Sequence, residues 1–361
     1  ENEKETLTYI SSLANSELTW EKLKEANLGF DLTFLKDRLS LTLDLYQRNI
    51  FDLIGSIKTS GIGGQYTKTA NYGKMEARGI EFTLGGDAIK NQAISWRTQF
   101  NVAYNKNKIT ELQNTPRIID LVSDNGGSIL GYPRGSLFSL QFDGLDRNYG
   151  YPYYIDENGN KNTYINLQST KVGNLKYEGP IDPKLTGGFY NKFAYKRFSL
   201  SALFTFATGN YVRLAQEFSA TYPDIYSMTK SMLNRWTQPG DELRTSVPAI
   251  LDSYTASRLV TDATGATISV AYPYNMYNFS TERVAKGDFI RFKQIALTYE
   301  LPQKLTSRLS LSNASVSFVG NNIALLYSDK NLNGQDPEFF GNGGVALPIP
   351  KQYTLSLKVG F

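Results

Sequence analysis

The sequence predicts an all-β fold, an antiparallel β-barrel that crosses a membrane on about nine strands. Three observations predict it. Long segments alternate apolar and polar residues, short charged connections alternate with long ones, and aromatic residues make up 13% of the 361 residues against 20% charged residues. Successive side chains of a strand point to opposite faces, so such alternation predicts one wall facing lipid and one facing water.

Two segments show the alternation best. Between residues 39 and 46, leucine occupies every second position, and between residues 94 and 105 the run from Ile94 to Tyr104 alternates with Arg97, Gln99 and Asn101. The same pattern recurs at residues 28–34, 80–84, 189–195, 198–206, 289–299, 316–318 and 353–361. Within 289–299 the apolar positions change parity, and a β-bulge near Lys293 and Gln294 is expected to restore one apolar face.

The predicted connections are of two kinds. Residues 36–38, 88–92, 196–197 and 302–308 are short and charged, whereas residues 55–74, 106–184, 209–286 and 322–350 are long and rich in Gly, Asn, Tyr and Pro. This is typical of tight periplasmic turns and long external loops. Residues 106–184 are interpreted as one external excursion with a hairpin at Asn158 and Gly159; the alternative is a further pair of crossings at 137–142 and 164–167.

Composition excludes several classes of function. The chain has no cysteine and no histidine. Thiolate chemistry, imidazole bases and Ser-His-Asp triads are therefore excluded, and neither an enzyme nor a cofactor is expected. A net charge of +4 without a basic stripe gives no reason to expect nucleic acid. The chain has no run of 18 apolar residues that would indicate a membrane helix, and its mean hydropathy is −0.35.

The main alternative fold is a soluble β-sandwich, which would make the protein a secreted or surface glycan-binding module without transport activity. Typical globular strands have about five or six residues, whereas several segments here alternate for longer, which favours the barrel. The first residues, ENEKETL, resemble neither a start nor a signal peptide. Because bacterial barrels have an even number of strands, further strands are expected upstream of Glu1.

Several stretches resemble the SusC/RagA family of TonB-dependent transporters of Bacteroidetes outer membranes. They are SELTWEKLKEANLGFDLTFLKDRLSLTLDLYQRNIFDLI, NYGKMEARGIEFTLGG, the segment from Trp96 to Ile109, DPKLTGGFYNKFAYKRFSLSALF, RVAKGDFIRFKQIALTYELP, NGQDPEF and PIPKQYTLSLKVGF. The matches follow the family's order and span nearly the whole chain.

This resemblance implies a barrel of about 22 strands, of which residues 1–361 would be the C-terminal part. It also implies a plug, a SusD-like lid lipoprotein and energy from the TonB-ExbB-ExbD complex. The protein would lie in the bacterial outer membrane, against lipid and lipopolysaccharide, and import oligosaccharides or oligopeptides; the sequence does not separate these cargoes. A passive porin is a third alternative.

Aromatic residues of the long loops are the first candidate site. The predicted substrate or lid contacts are Tyr222, Tyr226, Trp236, Tyr272, Tyr274 and Tyr277. Their rings could stack on sugars or peptide side chains, or they could simply pack the loop. A helix is expected from about residue 224 to 236, before Pro239 and Gly240.

Other candidates lie on the strands and in the last loop. Arg97, Gln99 and Asn101, with Lys192 and Lys358, are expected to face the lumen, and the terminal Phe361 resembles the family's barrel-assembly signal. Trp96, Tyr104, Tyr195 and Tyr299 are expected at lipid headgroup level. No metal site is expected. The weak calcium candidate is Asp329, Asn331, Asn333 and Asp336, since position twelve of that loop is Phe340 where a glutamate is required; an ordinary turn is the alternative.

Overall fold

The computed structural model describes residues 15–58, 67–222, 228–257, 259–338 and 350–361. In this part of the chain, nine long strands form one antiparallel sheet in sequence order. They are β1 (Lys22–Phe34), β2 (Leu39–Lys58), β3 (Thr67–Lys90), β4 (Ile94–Leu112), β5 (Leu185–Tyr195), β6 (Phe198–Thr208), β7 (Phe289–Glu300), β8 (Asn313–Ser328) and β9 (Gln352–Gly360). The predicted number of strands is confirmed.

One face of the sheet is apolar across all nine strands, because the register aligns their apolar positions. A single row contains Leu84, Phe100, Phe189, Phe204 and Phe292, each opposite the next on adjacent strands β3 to β7. Leu84 remains 38% exposed and Phe189 42% exposed. A sandwich would bury these side chains under a second sheet. Their exposure rules out the sandwich alternative in the described residues and is typical of a lipid-facing wall.

The opposite face is polar and joined by cross-strand contacts. The Thr42 hydroxyl donates to the Asp31 carboxylate at 2.8 Å. Arg48 pairs with Glu25 at 3.1 Å between the same two strands. Such pairs between adjacent strands stabilise the register. The sheet therefore has one wall suited to lipid and one suited to water.

The predicted bulge lies at Lys293. The residue pairs Leu203–Gln294 and Phe204–Phe292 are consecutive on β6 but skip Lys293 on β7. The extra residue brings Ile295 and Leu297 back to the apolar face that Phe292 occupies. A bulge was needed because side chains alternate strictly, and a parity change without one would turn apolar residues to the polar wall.

Deletion of Lys293 is expected to be tolerated. Without this residue, Phe292, Gln294 and Ile295 alternate regularly, and the ladder to β8 is already irregular opposite Lys293. Deletion of Ala296, which pairs regularly with both neighbours, should turn Leu297 and Tyr299 to the polar face and abolish assembly. Heat-shift electrophoresis of outer membranes measures the folded fraction of the full-length protein. An equal loss of folded protein in both deletion variants would contradict this interpretation of the bulge.

The long and short connections lie at opposite ends of the sheet, as predicted. The short ones are residues 35–38, 91–93, 196–197 and 301–312, the last with a helix at Gln303–Arg308. The strands extend further than predicted: residues 55–58, 67–74, 88–90, 106–112 and 322–328 are strand rather than connection. The ladder continues there because pairing satisfies backbone groups that would otherwise need another partner.

The single-excursion prediction for the connection after β4 is confirmed, because β4 pairs directly with β5. The connection holds a helix at Ile118–Val122 and short strands at Ser136–Ser139, Phe142–Leu145, Pro152–Ile155, Lys161–Asn162 and Lys176–Pro180. The predicted hairpin is present, with Tyr154 opposite Asn162 around Asn158 and Gly159.

The connection from β6 to β7 is also structured. Its strands are Tyr211–Arg213, Leu259–Thr261, Thr267–Ser269 and Val284–Lys286, its helices Ser253–Ala256 and Ala271–Tyr277, and its 3₁₀ turns Lys230–Asn234, Asp241–Leu243 and Thr281–Arg283. A 3₁₀ turn at Lys230–Asn234 occupies part of the helix predicted for residues 224–236, of which 223–227 lie outside the described residues. A further 3₁₀ turn, Lys330–Leu332, follows β8. Among the described residues, no helix is long and apolar enough to span a membrane.

Candidate functional site

The candidate site is the layer formed by two connections, residues 113–184 and 209–288, which we call the loop layer. Both leave the sheet at the same end and share one apolar core. Its buried residues are Ile118, Leu121, Val122, Phe138, Leu140, Tyr154, Ile165 and Leu175 from the first connection and Phe218, Met232, Met276 and Tyr277 from the second. Each such side chain contributes roughly 1.5–3 kcal/mol when fully buried, so the two connections stabilise each other.

Backbone hydrogen bonds also join the two connections. The Leu140 amide donates to the Phe279 carbonyl, and the Thr281 amide donates back to the Leu140 carbonyl, both at 3.0 Å. The buried Tyr154 hydroxyl donates to the Pro273 carbonyl at 2.5 Å. These bonds fix the Ala271–Tyr277 helix against the first connection, which makes the loop layer a preorganised surface.

Arg213 is buried at the junction of the two connections. Its guanidinium donates to the Ser280 carbonyl at 2.8 Å and to the Phe138 carbonyl at 2.6 Å. Burial lowers the pKa of Arg213 to about 10, because desolvation penalises the charged form. The side chain therefore stays charged at neutral pH and holds carbonyls from both connections.

A second buried arginine, Arg291 of β7, holds the segment after β8. Its guanidinium contacts both Asp336 carboxylate oxygens at 2.5 Å and Glu338 at 2.7 Å. It also donates to the Asn322 side chain at 2.6 Å. Residues 329–338 are thereby fixed against the sheet. Nothing in the sequence signalled this contact, because its partners lie 45 residues apart in the chain.

Several cavities open in or beside the described part of the loop layer, among them two of more than 300 Å³. The larger, of ≈ 580 Å³, lies between the ends of β2 and β3 and residues 112–134, with Arg117 and Arg134 in its wall. The smaller, of ≈ 340 Å³, lies beside the hairpin from Pro152 to Asn162. Ligand sites commonly have volumes of about 300–1,000 Å³. Both cavities therefore suit small parts of a larger ligand.

Comparisons with known proteins agree with this architecture. The family model for the TonB dependent receptor-like β-barrel matches residues 5–175. TonB-dependent receptor P3 of Formosa agariphila is 25% identical over 91% of this chain and 32% of its own length. TonB-dependent receptor SusC of Bacteroides thetaiotaomicron is 29% identical over 55% of this chain and 20% of its own length. The solved RagAB peptide transporter superposes with a TM-score of 0.74 at 25% identity, covering 98% of this chain and 37% of that chain.

The chain is similar to SusC/RagA-type TonB-dependent receptors over most of its length, and the similarity concerns their barrel portion. Its nine-stranded sheet matches part of an outer-membrane TonB-dependent receptor barrel, and the receptors that it resembles are transporters rather than enzymes. It spans about a third of the length of the curated relatives that match along most of it. The resemblance stated from the sequence is confirmed.

Three of the predicted contact aromatics are buried. Trp236 is 8% exposed, Tyr274 1% and Tyr277 2%. Burial raises the pKa of the Tyr274 and Tyr277 hydroxyls. The Tyr274 hydroxyl donates to the Ala249 carbonyl at 2.7 Å. Side chains packed in this way leave no ring face for a ligand, so the packing alternative describes these three.

The other predicted aromatics differ. Tyr272 is 47% exposed, and its ring lies 5.3 Å from that of Tyr164, edge to face. Tyr222 is half-buried, and its hydroxyl donates to the Glu217 carbonyl at 2.9 Å. Tyr226 lies outside the described residues. Of the predicted contact aromatics that the structure describes, Tyr272 is the one with an exposed ring.

The predicted lumen residues share the polar face of β4. Arg97 lies opposite Lys192 and Asp87, and Gln99 and Asn101 follow on the same face. Lys358 of β9 lies opposite Ser315. The predicted headgroup residues Trp96 and Tyr104 are on the opposite, apolar face and are both exposed.

The calcium candidates have other partners. The Asp329 carboxylate accepts the Asn331 amide at 2.9 Å and the Lys286 amide at 3.1 Å. Asn333 ends the 3₁₀ turn with φ of 51°, a left-handed position that asparagine tolerates. Asp336 pairs with Arg291, and Phe340 lies outside the described residues. No group of three or more acidic side chains among the described residues is placed to hold a metal. These residues form an ordered turn.

Proposed function

We propose that residues 1–361 form the C-terminal part of the barrel of a TonB-dependent importer. Its cargo would be a bulky oligomeric nutrient, either an oligosaccharide or an oligopeptide. The observation that carries the proposal is the preorganised loop layer above a sheet with one lipid-suited and one polar wall. The likeness to a RagAB peptide transporter over 98% of the chain supports the same function.

The proposed partners follow from this function. A SusD-like lipoprotein would close over the loop layer and capture cargo, and Tyr222 and Tyr272 would contact cargo or lipoprotein. Energy would come from the TonB-ExbB-ExbD complex through other parts of the full-length protein. Arg97, Gln99 and Asn101 would line the lumen, where their polar groups would contact a plug or passing cargo.

Phe361 is proposed to signal barrel assembly. Its side chain is 95% exposed. It follows β9, whose apolar residues Tyr353, Leu355, Leu357 and Val359 share the lipid-suited face. An exposed aromatic ring directly after β9 is therefore available to an assembly factor.

The test is purification of the tagged full-length protein from outer membranes in mild detergent, followed by native mass spectrometry. The expected result is a complex with one surface lipoprotein and bound oligosaccharide or peptide. The matched measurement is uptake of the identified cargo by cells with and without TonB. Equal uptake without TonB, or open conductance of the pure protein in planar bilayers, would favour a passive pore and overturn the proposal.

A further inference from the structure

The ≈ 340 Å³ cavity beside the hairpin, which we call the hairpin cavity, has the layout of a ligand site. Ile118 and Ile165 in its lining are buried. Asn158, Asn166 and Lys171 are exposed and form its rim. An apolar base below a polar rim is common in small-molecule sites.

Two nine-tenths buried polar side chains line the hairpin cavity with unused hydrogen-bonding groups. Asp156 and Asn162 are each 8% exposed. Asp156 Oδ1 accepts the Asn158 and Asn160 amides, and Asn162 Oδ1 accepts the Tyr164 and Ala263 amides. Among the described residues, Asp156 Oδ2 and Asn162 Nδ2 have no such partner. They offer one acceptor and one donor to a ligand.

A third polar side chain adds to this set. The Asn174 amide nitrogen donates to the Ile155 carbonyl at 3.0 Å. The Asn174 Oδ1 atom is buried and has no hydrogen-bond partner. A buried acceptor without a partner costs free energy. Asn174 lines the hairpin cavity, so a ligand bound there would lie close to this acceptor.

The charges of the hairpin cavity select against anions. Asp156, Glu157 and Asp262 line it with only one cation, Lys171. Lys171 pairs with Glu157 at 2.7 Å, so two carboxylates remain uncompensated within the cavity lining. A free carboxylate of a peptide or an acidic sugar would be repelled. These three carboxylates are not placed to hold a metal ion together, since no group of three such side chains among the described residues is.

We propose that the hairpin cavity binds a neutral sugar residue. Sugar hydroxyls both donate and accept, which matches Asn162 Nδ2, Asp156 Oδ2 and the side-chain amide of Asn158. The apolar C–H face of a sugar suits Ile165 and the Tyr164 ring, both in the lining. The inference rests on the proposed import function and selects an oligosaccharide cargo over an oligopeptide.

The experiment uses the full-length protein in a detergent without sugar headgroups. Saturation-transfer NMR and calorimetric titration would probe maltose, cellobiose and lactose, with trialanine and trilysine as peptides. Asn158→Trp fills the cavity rim from a hairpin position whose side chain makes no hydrogen bond among the described residues. Asn160→Trp is the matched control, since Asn160 is exposed in the same hairpin but does not line the cavity.

The expected result is that at least one disaccharide binds, and that Asn158→Trp abolishes its binding while Asn160→Trp preserves it. Asn158→Ala, a milder change, should weaken binding by about threefold to tenfold through loss of one hydrogen bond. Binding of trilysine but of no sugar, or equal sugar binding by both tryptophan variants, would overturn the sugar proposal. Co-purification of a lipoprotein and TonB-dependent uptake would still stand in that case, so the two proposals fail separately.

Discussion

Substitution of Arg291 by methionine is expected to release residues 329–338 from the sheet. The Arg291 side chain is 2% exposed and Asp336 is 10% exposed, so the variant leaves a nearly buried carboxylate without its cation. Removing one partner of a buried pair costs about 3–5 kcal/mol. The contact to Glu338 adds little to this cost, because that side chain is 34% exposed and solvent screens it.

Hydrogen exchange of the full-length protein in detergent measures the effect. Amides of residues 329–338 should lose protection in Arg291→Met, whereas β1 to β6 should keep theirs. Arg308→Met is the matched control, because Arg308 is exposed and has no ion pair among the described residues. Adding Asp336→Asn to Arg291→Met should recover part of the loss by removing the unpaired charge. Unchanged protection in Arg291→Met would mean that Leu332, buried against Leu214 and Ala285, holds the segment alone.

Substitution of Tyr154 by alanine is expected to separate the two halves of the loop layer. The Tyr154 ring is fully buried in the shared core, and its hydroxyl bonds the Pro273 carbonyl from the other connection. Truncation of a buried aromatic side chain typically costs about 3–5 kcal/mol. The sheet should be unaffected, because Tyr154 belongs to the loop-layer core.

Limited proteolysis and hydrogen exchange of residues 271–279 test this expectation. Tyr154→Phe keeps the ring and should cost only about 1 kcal/mol for the lost hydrogen bond. Tyr272→Ala removes an exposed ring, and its effect should lie within about 0.5 kcal/mol of zero. Equal protease sensitivity of Tyr154→Ala and Tyr272→Ala would show that the shared core does not hold the connections together.

The position of each strand was predictable because alternation is a local property. Leucine at every second residue from 39 to 45 assigns β2 to one face whatever the rest of the chain does. The parity change after Phe292 likewise required a bulge, and the structure places it at Lys293. Strand ends were less predictable, since β2 and β3 continue pairing through residues with no clear apolar period.

The roles of the loop aromatics were not predictable from spacing. Tyr272 and Tyr274 lie two residues apart on one short helix, yet one is exposed and the other buried. The difference comes from distant residues, because Tyr274 packs in a cluster with Leu145 of the first connection and Trp236 and Leu251 of the second. The local sequence around each tyrosine therefore does not show which distant residues will cover its ring.

The sequence by itself determined the nine-stranded sheet, its two walls, its bulge, the separation of short and long connections, and the family resemblance. Periodicity and motif order carry this information within neighbouring residues. Only the tertiary structure decided how the loop layer packs, which arginines are buried, and where the hairpin cavity opens. Those features depend on contacts such as Tyr154 with Pro273, 119 residues apart, for which the sequence contains no local signal.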